Sequence, residues 1–116
     1  MISTAGSERE ANRLARTLIQ ERLAACVNVV PGVTSYFYWG GKICREKEAL
    51  LVVKTVRARL KEIIHKVKEI HSYEVPEIFF LRVETGEKKY LQWVKKMTQE
   101  DMQLLKNSPK IGKRPR

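Results

Sequence analysis

The apolar positions of residues 7–22 recur every three or four residues, which is the spacing of one face of an α-helix. Ser7 and Glu10 form an S-x-x-E capping box in front of this pattern, so the helix is predicted to begin there. Ahead of the box only MIST remains for a strand, so the first strand is predicted to be short. The face predicted to be buried consists of Ala11, Leu14, Ala15, Leu18 and Ile19.

After Arg22 the pattern becomes that of β-strands. ACVNVV and VTSYFYW are rich in β-branched and aromatic residues, and Pro31-Gly32 interrupts them. Gly40-Gly41 predicts a hairpin turn. The returning strand begins at Lys42 and ends in ALLVVKT, whose continuous apolar run is typical of a strand buried on both faces. The two arms of the hairpin are therefore long.

Helical spacing returns between residues 57 and 70 and predicts a second helix. HSYEVP ends it, because the residue before a proline avoids the α region. EIFFLRV is then predicted to be a strand, and Tyr90 to Met97 a third helix. The order strand, helix, strand, strand, helix, strand, helix predicts an α+β, ferredoxin-like split βαβ fold with helices on one face of an antiparallel sheet.

The other face of that sheet predicts self-association. In a single chain, the second face of VTSYFYW and ALLVVKT would meet water. Long apolar edge strands also invite pairing with another chain. We therefore expect a closed, symmetric assembly.

Charge is concentrated at the C-terminal end. The net charge is +10, and residues 106–116 supply half of it with five basic residues and no acid. We expect one domain over residues 1–103 and a basic, disordered tail over 104–116, either simply solvated or in weak contact with an anion, a nucleic acid or a membrane. No apolar stretch is long enough to span a membrane and no secretory signal pattern is present, so a cytoplasmic protein is expected.

Catalytic motifs are missing from the sequence. There is no glycine-rich phosphate loop, no H-E-x-x-H and no G-x-S-x-G, so an enzyme is not expected. Cys26 lies in an apolar strand pattern, where a buried cysteine behaves as an inert hydrophobe. Cys26 and Cys44 match no zinc spacing and are expected to stay thiols.

Metal-ligating residue types are present but without diagnostic spacing. His65 lies beside Lys61 and Lys68, so a solvated histidine is the better interpretation. His71 ends the second helix, where capping and metal ligation explain it equally well. The carboxylates of Glu74 and Glu77 flank the bend with Tyr73 and form either a hydrogen-bonded corner or the wall of a pocket.

The RNA recognition motif shares this element order, and residues 36–39 supply aromatic side chains. However, ALLVVKT contains no aromatic residue where that motif needs them. Nucleic-acid binding is therefore not expected.

Four stretches resemble the CutA divalent-cation tolerance family in order and spacing. They are ERLAACVNVVPGVTSYFYWGGK, ALLVVKT, HSYEVPEI and YLQWV, and they lie within residues 7–98. The resemblance implies a ferredoxin-like subunit in a tight homotrimer built by pairing of edge strands, similar to the PII signalling proteins. It implies copper or divalent-cation binding and carries no settled catalytic activity.

The resemblance also implies roles for particular residues. Cys26 and His71 match the family's thiol and histidine positions, and both are copper-ligand candidates. Ser72 replaces the family's usual proline, and REKE replaces a more acidic run. The positions expected near clefts between subunits are Trp39, Lys54, Tyr73, Glu74 and Trp93.

A second hypothesis is a regulatory or scaffold module of PII type. Its cleft between subunits would bind a small anionic ligand or a protein partner, with Lys54 supplying the positive charge.

Overall fold

The computed structural model describes residues 1–99 and 111–113. A short 3₁₀ turn at Arg57–Arg59 precedes the second helix. The boundary predicted at residues 103 and 104 lies outside the described residues. The strands and helices are β1 (Ile2–Ala5), α1 (Glu8–Gln20), β2 (Cys26–Trp39), β3 (Lys42–Lys54), α2 (Leu60–Ile70), β4 (Ile78–Phe79) and α3 (Lys88–Met97).

The four strands form one antiparallel sheet in the order β2-β3-β1-β4. This order places the strand that follows α1 two positions away from β1, with β3 between them, as the split βαβ arrangement requires. Buried residues of α1 and α2 form a single core with one face of the sheet. The predicted ferredoxin-like α+β fold is therefore confirmed.

Helix α1 begins where the capping box predicts. Ser7 is the N-cap, and its Oγ accepts a hydrogen bond from the Glu10 backbone N–H at 3.1 Å. Leu14 and Leu18 are buried as expected, whereas Ile19 is more than one third exposed because it lies at the margin of the apolar stripe. Arg22 then adopts a φ of 60°, which turns the chain from the helix towards β2.

The hairpin of β2 and β3 is the longest feature of the sheet. Gly40 and Gly41 both have positive φ, 60° and 77°, as a two-residue hairpin turn requires. The ladder shifts register between Val30 and Val33, so the predicted interruption at Pro31-Gly32 is a bulge within one continuous strand. Beyond residue 48 towards the turn, β2 is the only described strand that pairs with β3, so the two strands form an arm that extends past the sheet.

The buried face of β3 is narrower than ALLVVKT predicts for a single chain. Ala49, Leu51 and Val53 are buried against the helices. Leu50 and Val52 point to the opposite face and are half-buried. The second face of this strand therefore remains partly open to water.

The last strand is much shorter than EIFFLRV predicts. Only Ile78 and Phe79 pair with β1, opposite Ser3 and Ile2. Since β1 comprises Ile2–Ala5, residues 81–84 have no residue of β1 opposite them in this register. The prediction of a full strand was wrong because it depended on the length of the neighbouring strand.

Candidate functional site

The segment HSYEVPEI forms a corner that is hydrogen-bonded to three other elements. His71 ends α2, is only 8% exposed, and its Nε2 lies 2.7 Å from the Thr4 carbonyl oxygen of β1. If the ladder between β1 and β4 continued, Glu77 would face Thr4. The imidazole therefore occupies the position of the missing strand and satisfies an edge carbonyl that would otherwise be unpaired.

Both nitrogens of His71 are engaged. Nδ1 accepts a hydrogen bond from the Tyr73 backbone N–H at 3.0 Å, so it carries no proton. Nε2 faces a carbonyl and must donate, which assigns the neutral Nε2–H tautomer. Within one chain, the ring has no free lone pair in this arrangement.

The Tyr73 side chain ties the corner to β3. Its hydroxyl donates to Glu48 Oε2 at 2.8 Å, and its ring lies 4.8 Å from the His71 ring. Burial raises the pKa of Tyr73 above its usual value, and the hydrogen bond and charge of Glu48 raise it further. A Cβ added at Gly6 would lie 3.1 Å from the Tyr73 hydroxyl, so any larger residue there would require the Tyr73 side chain to shift.

Glu10 ties the corner to α1, and the sequence did not identify it as part of the site. Its Oε1 accepts from the Gly6 N–H at 3.2 Å and its Oε2 accepts from the Ser72 N–H at 2.8 Å. Burial favours the neutral acid, but the hydrogen bonds from the Ser72 and Gly6 N–H groups outweigh it and lower the pKa of Glu10. The capping box was the available signal, but it predicts a bond to the N-cap N–H and gives no sign of Ser72.

An open groove of about 570 Å³ lies beside this corner. Arg13 contributes to it and also donates to the Ile70 carbonyl at 3.0 Å, which caps the last turn of α2. The lining residues are Gly6, Ser7, Arg9, Glu10, Arg13 and Ser72.

Cys26 lies elsewhere, where β2 begins. It pairs with Lys54, whose Nζ is 3.9 Å from the Cys26 Sγ. The carbonyl that binds His71 belongs to Thr4, which pairs with Leu50. Lys54 is four residues further along β3, or about 13 Å. Within one chain the structure does not bring the two copper-ligand candidates together.

The five residues predicted near a cleft are also dispersed in one chain. Trp39 pairs with Lys42 at the turn of the hairpin, twelve residues or about 40 Å from Lys54 along β3. Glu74 is exposed in the bend next to Tyr73. Trp93 lies on α3, where its ring is 5.7 Å from that of Tyr90. Their predicted meeting in a cleft therefore depends on more than one chain.

Among residues 1–99 and 111–113, no group of three or more His, Cys, Asp or Glu side chains could hold a metal ion. Within the same residues, no helix is long and apolar enough to cross a membrane.

Residues 1–97 match the sequence model of the family described as CutA1 divalent ion tolerance protein. The divalent-cation tolerance protein CutA of Thermus thermophilus is 42% identical over 98 residues, which cover 84% of this chain and 95% of that protein. The human protein CutA is 41% identical over 96 residues, which cover 83% of this chain and 54% of that protein. The chain thus spans nearly all of the bacterial relative and about half of the human one.

Solved structures agree with the sequence matches. The crystal structure of CutA1 from Oryza sativa has a TM-score of 0.84 and 41% identity, covering 86% of this chain and 92% of that one. The Thermus thermophilus structure has a TM-score of 0.83 and 42% identity, covering 84% and 95%. The family model, the sequence identity and the matching fold agree: the chain belongs to the CutA1 divalent ion tolerance family.

Proposed function

We propose that the chain acts as a homotrimer, built by pairing of sheet edges, that takes part in divalent-cation tolerance without catalysing a reaction. The hairpin arm carries this proposal. A two-stranded ribbon is marginally stable in water when nothing packs on it. This one nevertheless exposes large apolar side chains near its turn, each at least 65% exposed: Tyr36, Tyr38, Trp39 and Ile43.

The edges of the sheet support the same proposal. β2 and β4 are the edge strands, and the segment after β4 exposes Leu81 and Val83 without a strand beside them. Pairing of one edge with a different edge of the next copy is a head-to-tail contact, which closes into a ring when the rotation fits. Three copies would cover the arm and the open face of each sheet.

Sedimentation velocity and mass photometry at micromolar concentration test the assembly. A single species of three chains is expected, and a stable monomer would contradict the proposal. Ile43→Lys places a charge in the arm and is expected to shift the population towards monomer. Lys61→Gln, which changes an exposed residue of α2, is the control and should leave the assembly unchanged.

Copper is the cation we propose, with His71 and Cys26 as candidate ligands. The residues of one chain do not fit it as they stand, because both His71 nitrogens are bonded and the Lys54 ammonium beside Cys26 repels a dication. Copper binding would therefore need ligands from neighbouring chains, and His71 would have to give up one hydrogen bond. Imidazole and thiolate remain the donor types that copper favours.

Calorimetric titration with copper tests this assignment on the parent chain, His71→Ala and Cys26→Ser. Weaker binding in at least one variant is expected, and unchanged affinity in both would reject the assignment. Tyr73→Phe is the matched control for His71→Ala, because it removes the Glu48 hydrogen bond from the same corner but no copper ligand. The copper affinity of Tyr73→Phe should equal that of the parent chain.

A small anionic ligand is the second candidate, with the Lys54 ammonium at the end of β3 as its positive charge. Within the described residues no ion pair is found for Lys54, so a bound anion would supply the missing partner charge. If anionic metabolites raise the melting temperature and copper does not, this function is favoured over metal binding. The same stabilisation should be lost in Lys54→Gln.

A further inference from the structure

The layer formed by α1 and α2 carries two rows of basic side chains on its outer surface. In each helix three residues recur at i, i+4 and i+7, which places them on one side of the helix, opposite the buried stripe. All six are exposed. The rows consist of Arg9, Arg13 and Arg16 on α1, and Lys61, His65 and Lys68 on α2.

The two rows lie side by side. Arg13 donates to the Ile70 carbonyl at the end of α2, while Lys66 in the middle of α2 is 3.3 Å from Glu21, which follows α1. The helices therefore run antiparallel and in contact. Packed helix axes are about 8–10 Å apart, so both rows can contact the same partner.

Four of the five acidic residues of this layer have partners, and the fifth, Glu8, is exposed at the start of α1. Glu10 binds the corner, and Glu62 lies 2.8 Å from Arg59. Glu21 and Glu69 are both 3.3 Å from Lys66. No ion pair is found within the described residues for four cations of the rows: Arg9, Arg16, Lys61 and Lys68.

We propose that this layer is a docking surface for an acidic segment of a partner protein. The exposed guanidinium and ammonium groups attract carboxylates at spaced positions of such a segment. Between the rows lie the half-exposed carboxylates of Glu21 and Glu69. They would repel a nucleic-acid backbone, because every nucleotide carries a phosphate charge. A peptide can place uncharged residues and its backbone N–H groups opposite them.

Two other polyanions fit the layer less well. Neither helix has a Phe, Tyr or Trp side chain on which a nucleic-acid base could stack. The apolar side chains at the margins of the layer, Ile19 and Ile64, are only 37% and 38% exposed. They offer little to insert into an anionic membrane.

This surface goes beyond the proposed role in cation tolerance and does not depend on it. The helices cover the face of the sheet opposite to the open one, so the rows are accessible in a single chain and in an assembly formed through sheet edges. Failure of the trimer or of copper binding would leave the proposal unaffected.

Fluorescence anisotropy with the full chain tests the proposal. The probe is a labelled peptide of about ten residues with Glu at every third position, which spans about 33 Å when extended. One variant replaces Arg9, Arg16, Lys61 and Lys68 with Gln. The matched control replaces the four exposed lysines of α3, which makes the same change in net charge: Lys88, Lys89, Lys95 and Lys96.

The row variant is expected to bind the peptide about tenfold more weakly, because it loses four exposed ion pairs that each contribute little. The control should change the affinity by less than about threefold, and binding should weaken from about 0.05 M to about 0.3 M salt. Equal losses in the two variants, or no binding to the parent chain, would overturn the proposal. It is equally overturned if duplex DNA or phosphatidylserine vesicles bind the rows more tightly than the peptide. Circular dichroism checks that both variants are folded.

Discussion

At the scale of single residues, the corner around His71 explains why HSYE occurs at this point of the chain. The imidazole bonds to the Thr4 carbonyl at the edge of β1, where β4 no longer pairs. The Tyr73 hydroxyl donates to Glu48, and Glu10 accepts from the Ser72 N–H. The His71 bond satisfies a buried carbonyl at a free edge of the sheet, the Tyr73 bond is partly buried, and the Ser72 bond is exposed. The polar residues that first suggest a reactive site thus stabilise the fold.

Gly6→Ala is expected to destabilise the chain by about 1 kcal/mol. The new Cβ would lie 3.1 Å from the Tyr73 hydroxyl, which must shift and lengthen its bond to Glu48. Urea unfolding of the parent chain and the variant measures the difference.

A double-mutant cycle with Tyr73→Phe identifies the cause. Without the hydroxyl the nearest remaining ring atom is 3.4 Å from the Cβ, an ordinary contact. Gly6→Ala should then be neutral or slightly stabilising, because alanine restricts the unfolded chain. An equal loss in both backgrounds would exclude the Tyr73 contact as the cause.

Glu10→Gln is expected to make the chain less sensitive to acid. The pKa of Glu10 is lowered from its ordinary value of 4.5, so its contribution to stability is fully present above pH 4.5. That contribution is lost as the pH falls through the lowered pKa. The variant should be less stable than the parent at pH 7, and the difference should shrink below pH 4.5.

Denaturant unfolding at pH 7, pH 4.5 and about pH 3 measures this difference. Glu8→Gln is the control, because Glu8 is exposed in the same turn of α1. If the stability difference between Glu10→Gln and the parent does not change with pH, the lowered pKa of Glu10 is contradicted.

At the scale of elements, local pattern predicted the helices well and the strands unevenly. The capping box and apolar spacing of α1 are local, and so are the glycines of the hairpin turn. The length of β4 depends on β1, a neighbour that is distant in sequence. Strand boundaries therefore need the partner strand to be known.

Replacing Gly40 with Val is expected to destabilise the chain by roughly 1–2 kcal/mol, because its φ of 60° is left-handed and strained for a β-branched residue. Gly40→Asn should cost much less, since asparagine tolerates this conformation. No atom of the described residues lies within 4 Å of a Cβ added there, so a steric clash with them cannot explain the difference. Thermal unfolding compares the two variants, and equal losses would contradict this explanation.

At the scale of the whole molecule, the sheet exposes more apolar surface than the helix layer. Among the described residues, eight large apolar side chains are at least 65% exposed, and the arm and the segment after β4 supply six of them. Burial of such surface between copies links stability to concentration, because association stabilises only the folded chain.

The melting temperature is therefore expected to rise with protein concentration over the micromolar range. Ile43 is 68% exposed in one chain, so Ile43→Thr should change the stability of a monomer by less than about 0.5 kcal/mol. In an assembly that buries this side chain the loss should exceed about 1 kcal/mol. Scanning calorimetry at several concentrations measures both effects.

A melting temperature that is independent of concentration, together with a small loss for Ile43→Thr, would contradict burial of the arm. Lys68→Ala on the outer surface of α2 is the control and should leave both quantities unchanged.

The sequence alone determined the order of elements, the start of α1, the hairpin turn and the fold class, because capping, periodicity and glycine conformation act over a few neighbouring residues. It also indicated HSYEVPEI as special. Only the tertiary structure decided what that segment does, since the partners of His71, Ser72 and Tyr73 lie 25 to 67 positions away along the chain. It likewise decided that Cys26 and His71 lie apart, because strand register sets distances that no local pattern contains.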